Sequence, residues 1–401
     1  MFQPSSVRGL DRPPLKLISS RERDVIETTG GSISTHVVED LPGLQKLEGG
    51  WKALFKTAVG ASFPLNFAWT REWWRYFGTP RKKLAIITVY RGEELIGVLP
   101  LYREQRSRKR EELSFISLSA TSEDSFYPEY TEVLTAPGME EIVAGEVEAT
   151  LRELARIPPI QFGLCRSPGI LLNRIAPQLK APGRFILTSQ HAAPVADLTG
   201  GFERYLERLS ANTRQQMRRL LRSFHGTKET RFELAQNPMS RAEFLKELIS
   251  LHQARWRQVG EPGAFSTPER IAFHCAVVAR LGEEAVLTRL SAGGRSVTLL
   301  YGFQFGSRFE FYQSGNDPGN GAIKRSGIVA HLLTMQALAE RGIETYDFLE
   351  GAAPYKLQLS TGALPLAALS VSPVTAALVL KRSWGVVKKL IPPRFLPPSA
   401  G

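Results

Sequence analysis

The sequence predicts an α+β protein in which mixed sheets are flanked by helices, arranged as two units of the same plan. Three observations carry this reading. A helix–helix–hairpin order occurs in the first half and returns about 200 residues later, the mark of an internal duplication. The chain has 401 residues, enough for two domains of ordinary size. Hydrophobic residues make up 43% and charged residues 22%, the balance of a globular chain rather than a disordered one.

The elements follow in order. Residues 1–30 hold no apolar run of signal-peptide length, so no cleaved export signal is indicated, and 1–35 reads as a loose arm. Trp51–Val59 and the aromatic-rich Trp69–Phe77 have helical character. Leu84–Tyr90 and Leu95–Tyr102 are β-branched runs around the turn Arg91-Gly92-Glu93-Glu94, a hairpin signature. Pro, Gly and Ala cluster over Pro177–Gly201 and suggest a boundary, giving units at 36–190 and 191–372. In the second unit Arg241–Gln258 and Pro268–Leu281 carry helical apolar spacing. Ala285–Leu290 and Ser296–Phe305 then flank Ala292-Gly293-Gly294-Arg295, and Arg308–Gln313 adds a third strand. The longest uncharged stretch, Leu357–Leu380, is interrupted by Gly362, Pro365 and Pro373, which argues for a strand and then a helix rather than a membrane span. In the tail, 373–401, Val374–Leu390 can form a helix with Lys381, Arg382, Lys388 and Lys389. Such a helix either packs on the domain or rests on an anionic membrane surface.

There are 51 Lys+Arg against 39 Asp+Glu, a net charge of +12, which favours anionic partners: phosphorylated cofactors, nucleic acid or an acidic membrane face. No aromatic–basic RNA motif accompanies the charge. Two cysteines, Cys165 and Cys275, and six scattered histidines without an HExxH pair exclude a disulfide framework and argue against a metal site. The low cysteine count fits a reducing cytoplasm.

Two segments carry chemistry. In 209–224, Ser210 or Asn212 can cap a helix that places Arg214, Arg218 and Arg222 on one face with Arg219 beside them. Leu209, Met217, Leu220, Leu221 and Phe224 form the opposite side. The arginines either contact a phosphate or carboxylate or form a solvated, salt-bridged face. In 314–356, a loop with Gly315, Gly319, Gly321 and Gly327 leads into a helix over Ile328–Arg341, stopped by Gly342. A strand, Ile343–Leu349, contains Asp347 and ends at Glu350. Free backbone N–H groups and the helix dipole make such a loop an anion site, reinforced by Lys324 and Arg325. Neither a Walker A sequence nor a GxGxxG after a strand is present, which argues against nucleotide hydrolysis and Rossmann dinucleotide binding.

Taken together, these residues resemble the GNAT-superfamily acyltransferases of the BioF2-like, CelD/BcsL-like group, relatives of the FemAB peptidyltransferases. The matching pieces are Asp197-Leu198, Phe202–Leu206, Leu209-Ser210, Asn212–Arg214, His252, Arg255-Trp256, Tyr312–Gly315, Ser326-Gly327, Asp347-Phe348, Gly351 and Tyr355-Lys356. In the first half they are Trp69, Trp73-Trp74, Phe77-Gly78 and Gly97–Tyr102, so the likeness covers about residues 40–370. The resemblance implies tandem GNAT-like (Fem-like) domains, each a mixed central sheet flanked by helices. It implies acetyl-CoA or another acyl-CoA as co-substrate, with its pyrophosphate on Ile323, Lys324, Arg325, Ser326, Gly327 and Ile328, and no metal. Only one Gly follows Arg325, a departure shared with Fem-like relatives, some of which take aminoacyl-tRNA. The first half lacks such a loop and is expected to be structural or to shape the acceptor site.

Acyl transfer requires a base for the nucleophile, donors for the oxyanion and an acid for the departing thiolate. The resemblance places Tyr355 as that acid. Asp347 or Glu350 is a candidate base, while Asp347 is equally suited to a structural hydrogen bond. Lys356 can neutralise a phosphate or a substrate carboxylate, and Arg214, Arg218, Arg255, Trp256 and Tyr312 are candidate substrate contacts. His252 and His331 titrate in the useful range; His331 is expected to be a partly exposed helix residue and Trp256 a core residue. No nucleophilic triad is suggested, so transfer is expected to be direct, within a ternary complex. The expected acceptor is a sugar, amine or lipid-linked precursor of the cell envelope or of an exopolysaccharide, handled in the cytoplasm or at the inner face of the membrane. The alternatives are an aminoacyl-tRNA-dependent transferase and an inactive GNAT-like binding module.

Overall fold

A computed structural model describes residues 27–28, 31–58, 60–107, 110–118, 126–154, 158–180, 184–317 and 323–373. The tail helix and most of the N-terminal arm fall outside them.

Local signals set the helices. Asn66 caps Phe67–Phe77 by accepting from Ala68 N at 2.8 Å. Ser210, not Asn212, caps Ala211–Gly226 by accepting from Thr213 N. Asn237 and Ser240 form a capping box on Pro238–Gln258, and Thr267 caps Pro268–Leu281. The hairpin turns fall where expected, pairing Ile86–Arg91 with Glu94–Leu99 and Ala285–Ala292 with Arg295–Phe305.

The expected strand Leu95–Tyr102 is divided. Pro100 has no N–H to donate, and the chain changes sheet there. Glu94–Leu99 belongs to a five-stranded sheet and Leu101–Ser107 to a 12-stranded one. The mixed sheets flanked by helices are those expected, but the larger sheet runs through both halves. It places Arg184–Asp197 and Gly362–Pro373 side by side near its middle. Gly362–Pro373 pairs antiparallel with Arg184–Asp197 on one edge and with Ile160–Arg166 of the first half on the other. Most of the Pro/Gly/Ala-rich stretch read as a linker is therefore the strand Arg184–Asp197. Its Ala and Pro content is tolerated because the partner strand supplies the ladder.

Side chains of both halves share one core. Trp69, fully buried, packs against Phe63 and Phe126 of the first half and Phe273, Phe303 and Tyr312 of the second, with ring centroids 4.7–5.9 Å apart. Its Nε1–H donates to Ser117 Oγ at 2.6 Å. A second apolar cluster lies under the basic helix, where Met217, Leu220 and Phe224 meet Ile328, Leu332 and Leu338.

A buried charge network also joins the halves. Asp347 Oδ2 accepts from Tyr130 OH at 2.6 Å and from Arg308, and its Oδ1 accepts from Leu349 N at 2.7 Å. Glu310 lies 3.5 Å from Arg308 and accepts from Phe63 N at 3.0 Å. The Arg308 guanidinium sits 4.2 Å over the Tyr130 ring.

Candidate active site

The site begins where two parallel strands part. Arg308–Asn316 pairs with Thr345–Asp347 only from Arg308↔Thr345 to Glu310↔Asp347. Beyond Glu310 this edge of the first strand loses its partner, and its backbone groups face an opening. A bulge at Tyr312 widens it, because the register with the neighbouring strand moves from Gly302↔Phe311 to Tyr301↔Gln313. The second strand ends at Asp347, shorter than expected, and turns away through Leu349 at φ 59°. The opening is a cleft of roughly 1140 Å³.

One wall is the loop and helix predicted to bind anions. The helix starts at Ser326, two residues earlier than its apolar stripe suggests, because Arg325 takes a left-handed conformation (φ 55°, ψ 44°) and turns the chain into it. Arg325 O accepts from Ile328 N and Val329 N, while Ser326 N and Gly327 N, in the first turn, belong to the N–H groups that no carbonyl of the helix itself can satisfy. Ser326 Oγ is held 3.0 Å from Thr298 Oγ1. A Cβ on Gly327 would meet only Asn316 Oδ1, at 3.5 Å, so space lies over the helix end. Ile323, Lys324, Arg325, Ser326, Gly327 and Ile328 all line the cleft, with Lys324 and Arg325 exposed. These residues fit a pyrophosphate: open backbone donors, a helix dipole and two exposed cations. Among the described residues no group of three or more His, Cys, Asp or Glu could hold a metal.

The opposite wall is the turn after Asp347. Glu350, Tyr355 and Lys356 line the cleft. Tyr355 stacks on His331, with centroids 5.2 Å apart and planes 20° apart, and burial pushes its hydroxyl up to about 12. Lys356 Nζ donates to Glu350 O at 2.6 Å and Leu349 O at 3.2 Å, and burial lowers its pKa. Glu350 reaches His191 Nδ1 at 3.2 Å. Arg255, Trp256 and Tyr312 complete the residues that sequence reasoning brought to this cleft.

Three predicted site residues lie elsewhere. Asp347 is fully buried in the network with Arg308 and Tyr130 and does not line the cleft, a placement that suits the structural of its two readings. Arg218 pairs with Glu203 at 2.9 Å, and Arg214 donates to Glu207 O at 3.1 Å. Both occupy the outer face of their helix, away from the cleft. The histidines also differ from expectation. His252 has both ring nitrogens engaged by backbone, Nδ1 with Ser314 O at 2.9 Å and Nε2 with Ala264 N at 3.1 Å, and its pKa is lowered by burial. His331 is buried rather than partly exposed, bonds Tyr346 OH through Nδ1 at 2.7 Å, and is lowered to about 3 by burial. Trp256 is 38% exposed on the rim rather than in the core, because the helix end that carries it projects past the sheet.

The residue that sequence reasoning missed is Glu129. It comes from the first half, on the short strand Glu129–Thr131, and enters the cleft beside Glu350, whose backbone N–H it accepts. Burial pushes its carboxyl up to about 8, with the Glu350 N–H and Lys356 pulling the other way. Phe63, Phe126 and Tyr127, also from the first half, line the same side. No local pattern marks Glu129; only the pairing of its strand with Ile160–Arg166 carries it here. Strain is concentrated at this place. Of the six non-glycine residues with positive φ among those described, Tyr127, Arg325 and Leu349 line the cleft, and such cost is usually retained where function needs it.

The sheet thus opens between two parallel strands onto a helix N-terminus. Residues 211–357, from the basic helix to the turn after Lys356, match the family model described as an acetyltransferase (GNAT) domain. This stretch of the second half is thus similar to a GNAT domain. The structure of FemX superposes with a TM-score of 0.58 at 12% identity, covering 86% of this chain and 98% of that one. The C-terminal domain of a putative lysylphosphatidylglycerol synthetase from Agrobacterium fabrum gives 0.52 at 12% identity, covering 84% and 95%. A conserved protein of unknown function from Bacteroides thetaiotaomicron gives 0.50 at 11%, covering 84% and 99%. At these identities the likeness is one of fold, and the fold is that of the GNAT and Fem-related group. No curated protein matches the sequence.

Proposed function

We propose that this chain is an acyltransferase that passes an acyl group, acetyl in the first instance, from acyl-CoA to a nucleophile bound on the first-half side of the cleft. The observation that carries the reading is the placement of Glu129. A partly desolvated carboxyl from one half lines the same cleft as an anion-binding helix start from the other. With its pKa near 8, Glu129 takes the proton of an attacking amine or hydroxyl more readily than an ordinary carboxylate. Ser326 and Gly327 N–H, with Lys324 and Arg325, hold the donor's phosphates. Backbone N–H groups on the unpaired edge at 311–314 support the developing oxyanion. Tyr355 stands ready to protonate the leaving thiolate, and Lys356 fixes the turn that carries Glu350. The proton thus enters on Glu129 and leaves from Tyr355, and no covalent enzyme intermediate is needed. The acceptor we assign by resemblance is a sugar, amine or lipid-linked precursor of the envelope or an exopolysaccharide.

The donor loop's single Gly after Arg325 favours a second reading, in which an aminoacyl-tRNA is the donor. Calorimetric titration with acetyl-CoA, repeated on Gly327→Val, separates the two. Micromolar binding lost on substitution supports the first. Absence of acetyl-CoA binding together with salt-sensitive tRNA binding supports the second. A thiol-release assay over a panel of amines and sugars then identifies the acceptor.

A further inference from the structure

Six large apolar side chains are exposed among the described residues, and they are not scattered. Tyr127, 61% exposed, and Trp256 line the cleft itself. Val259, 61% exposed, lies just past Trp256, whose carbonyl accepts its N–H. Leu357, 56% exposed, follows directly on Lys356. Only Leu41 and Met239 lie outside this group. From Arg255 to Pro262 every residue is exposed, so the end of the helix Pro238–Gln258 stands out from the body with Trp256 between Arg255 and Arg257 and Val259 just past the helix end. Lys324 and Arg325 are exposed along the same cleft. None of these four cations forms an ion pair among the described residues; Arg257 bonds Gln253 O and Arg325 bonds Gln358 Oε1. Of the carboxylates nearby, Glu129, Glu350 and Asp317 are half-buried along the cleft, and Glu261 is the one exposed on the same helix end, so cations outnumber carboxylates at the surface of the rim.

A solvent-facing rim of Trp, Tyr, Val and Leu is unfavourable in water unless something covers it. Trp and Tyr set beside Arg is the composition that partitions into the headgroup region of a bilayer, with Arg255 and Arg257 meeting lipid phosphates while Lys324 and Arg325 serve the donor. We infer that the mouth of the cleft docks on an anionic lipid bilayer, so that the acceptor is presented from the leaflet rather than from solution. This inference rests on the cleft being the acyl-transfer site. Charge complementarity chooses this occupant. A second copy of a chain carrying +12 would bring like charges together, whereas a leaflet of anionic lipid attracts them.

The test is sedimentation of the full chain with sucrose-loaded vesicles. One set is pure phosphatidylcholine and the other contains about one-third phosphatidylglycerol. Binding is expected only to the anionic set, and it weakens as salt is raised. Val259→Glu with Leu357→Glu is expected to lower partitioning about tenfold. Met239→Glu, at an exposed site away from the rim, leaves it unchanged. Acetyl-CoA affinity measured on the same variants stays constant, which shows that the fold and donor loop are intact. Failure of the unmodified chain to bind anionic vesicles overturns the inference. So does binding that the double variant keeps, since contact then lies elsewhere. Concentration-dependent dimerisation abolished by the double variant also overturns it, in favour of a second copy. Rim-dependent vesicle binding without any acyl-CoA binding would sink the transferase reading and leave the docking surface standing.

Discussion

Replacing Arg308 by Met tests whether the charge network holds the two halves together. The guanidinium lies between Asp347 and Glu310, both essentially inaccessible, and covers the Tyr130 ring. Removing it leaves two buried carboxylates without their direct ion-pair partner, with Arg166 and Lys356 as the remaining, more distant cations. Tyr130 OH and the N–H groups of Leu349 and Phe63 remain as their hydrogen-bond partners. Breaking a buried pair in this way costs about 3–5 kcal/mol. Burial already raises the Glu310 carboxyl, with Arg308 opposing, so the variant relaxes by protonating Glu310 and the loss sits toward the low end of that range near neutral pH. For a chain of this length the midpoint of thermal unfolding falls by roughly 5 °C. Urea unfolding followed by tryptophan fluorescence reads the change directly. Because Trp69 packs against rings of both halves, one transition is expected in the parent protein. Adding Asp347→Asn removes one of the stranded charges and is expected to recover part of the loss. A loss below about 1 kcal/mol, or no recovery in the double variant, would refute the argument that this network is a coupled, charged joint.

Other outcomes follow from the site. Glu129→Gln keeps an acceptor for the Glu350 N–H and removes the base, so kcat falls about 10²–10⁴-fold with acetyl-CoA affinity unchanged, as steady-state thiol release would show. The parent kcat/KM rises with pH through an apparent midpoint near 8, because the raised carboxyl must ionise before it can accept a proton; the Gln variant lacks that limb. The same shift has a stability consequence of definite sign. The unfolded Glu129 loses its proton near 4.5 and the folded one near 8, so its contribution to stability falls as pH rises between those values, and Glu129→Gln removes that part of the decline in urea titrations. Tyr355→Phe lowers kcat about 10-fold or more at neutral pH, and the defect shrinks above the thiol's own pKa, where the thiolate leaves unaided. Gly97→Ala is expected to cost about 1–3 kcal/mol in urea melts, because the added Cβ would lie 2.6 Å from Val143 Cγ1, on the helix packed over that strand.

What the sequence shows depends on whether the signal is local. The donor loop is legible because Lys324, Arg325, Ser326 and Gly327 are contiguous and precede an apolar helix, and Tyr355 and Lys356 follow it at short range. Asp347 was open to two readings because a carboxylate at a strand end looks the same whether it faces a cleft or an arginine. Arg308, 39 residues away, supports the structural one by occupying Asp347 Oδ2. His252 and His331 carry the residue type of a base, but the backbone bonds of one and the burial of the other arise only from packing. Glu129 was invisible for the most physical of these reasons. Its neighbours Glu350 and Lys356 lie more than two hundred residues on, and nothing in Pro128–Thr131 distinguishes it from any exposed strand carboxylate. The separation of hairpin and following strand at Pro100 shows the same limit, since the proline marks the break but not the sheet to which the chain moves.

The central position of Gly362–Pro373 bears on how the protein is made. A ribosome delivers Ile160–Arg166 and Arg184–Asp197 long before the strand that must lie between them, which pairs Arg184 with Pro373. Until that strand emerges, both flanking edges present unpaired backbone and apolar faces to solvent, a state that invites misassociation. Glu129, on the first-half side of the gap, can meet the helix that starts at Ser326 only when the gap is filled. The proposed site is therefore completed late in synthesis, when that strand arrives. A stalled or shortened product ending before residue 362 would contain every residue of the proposed site but lack the strand that joins the two halves in one sheet.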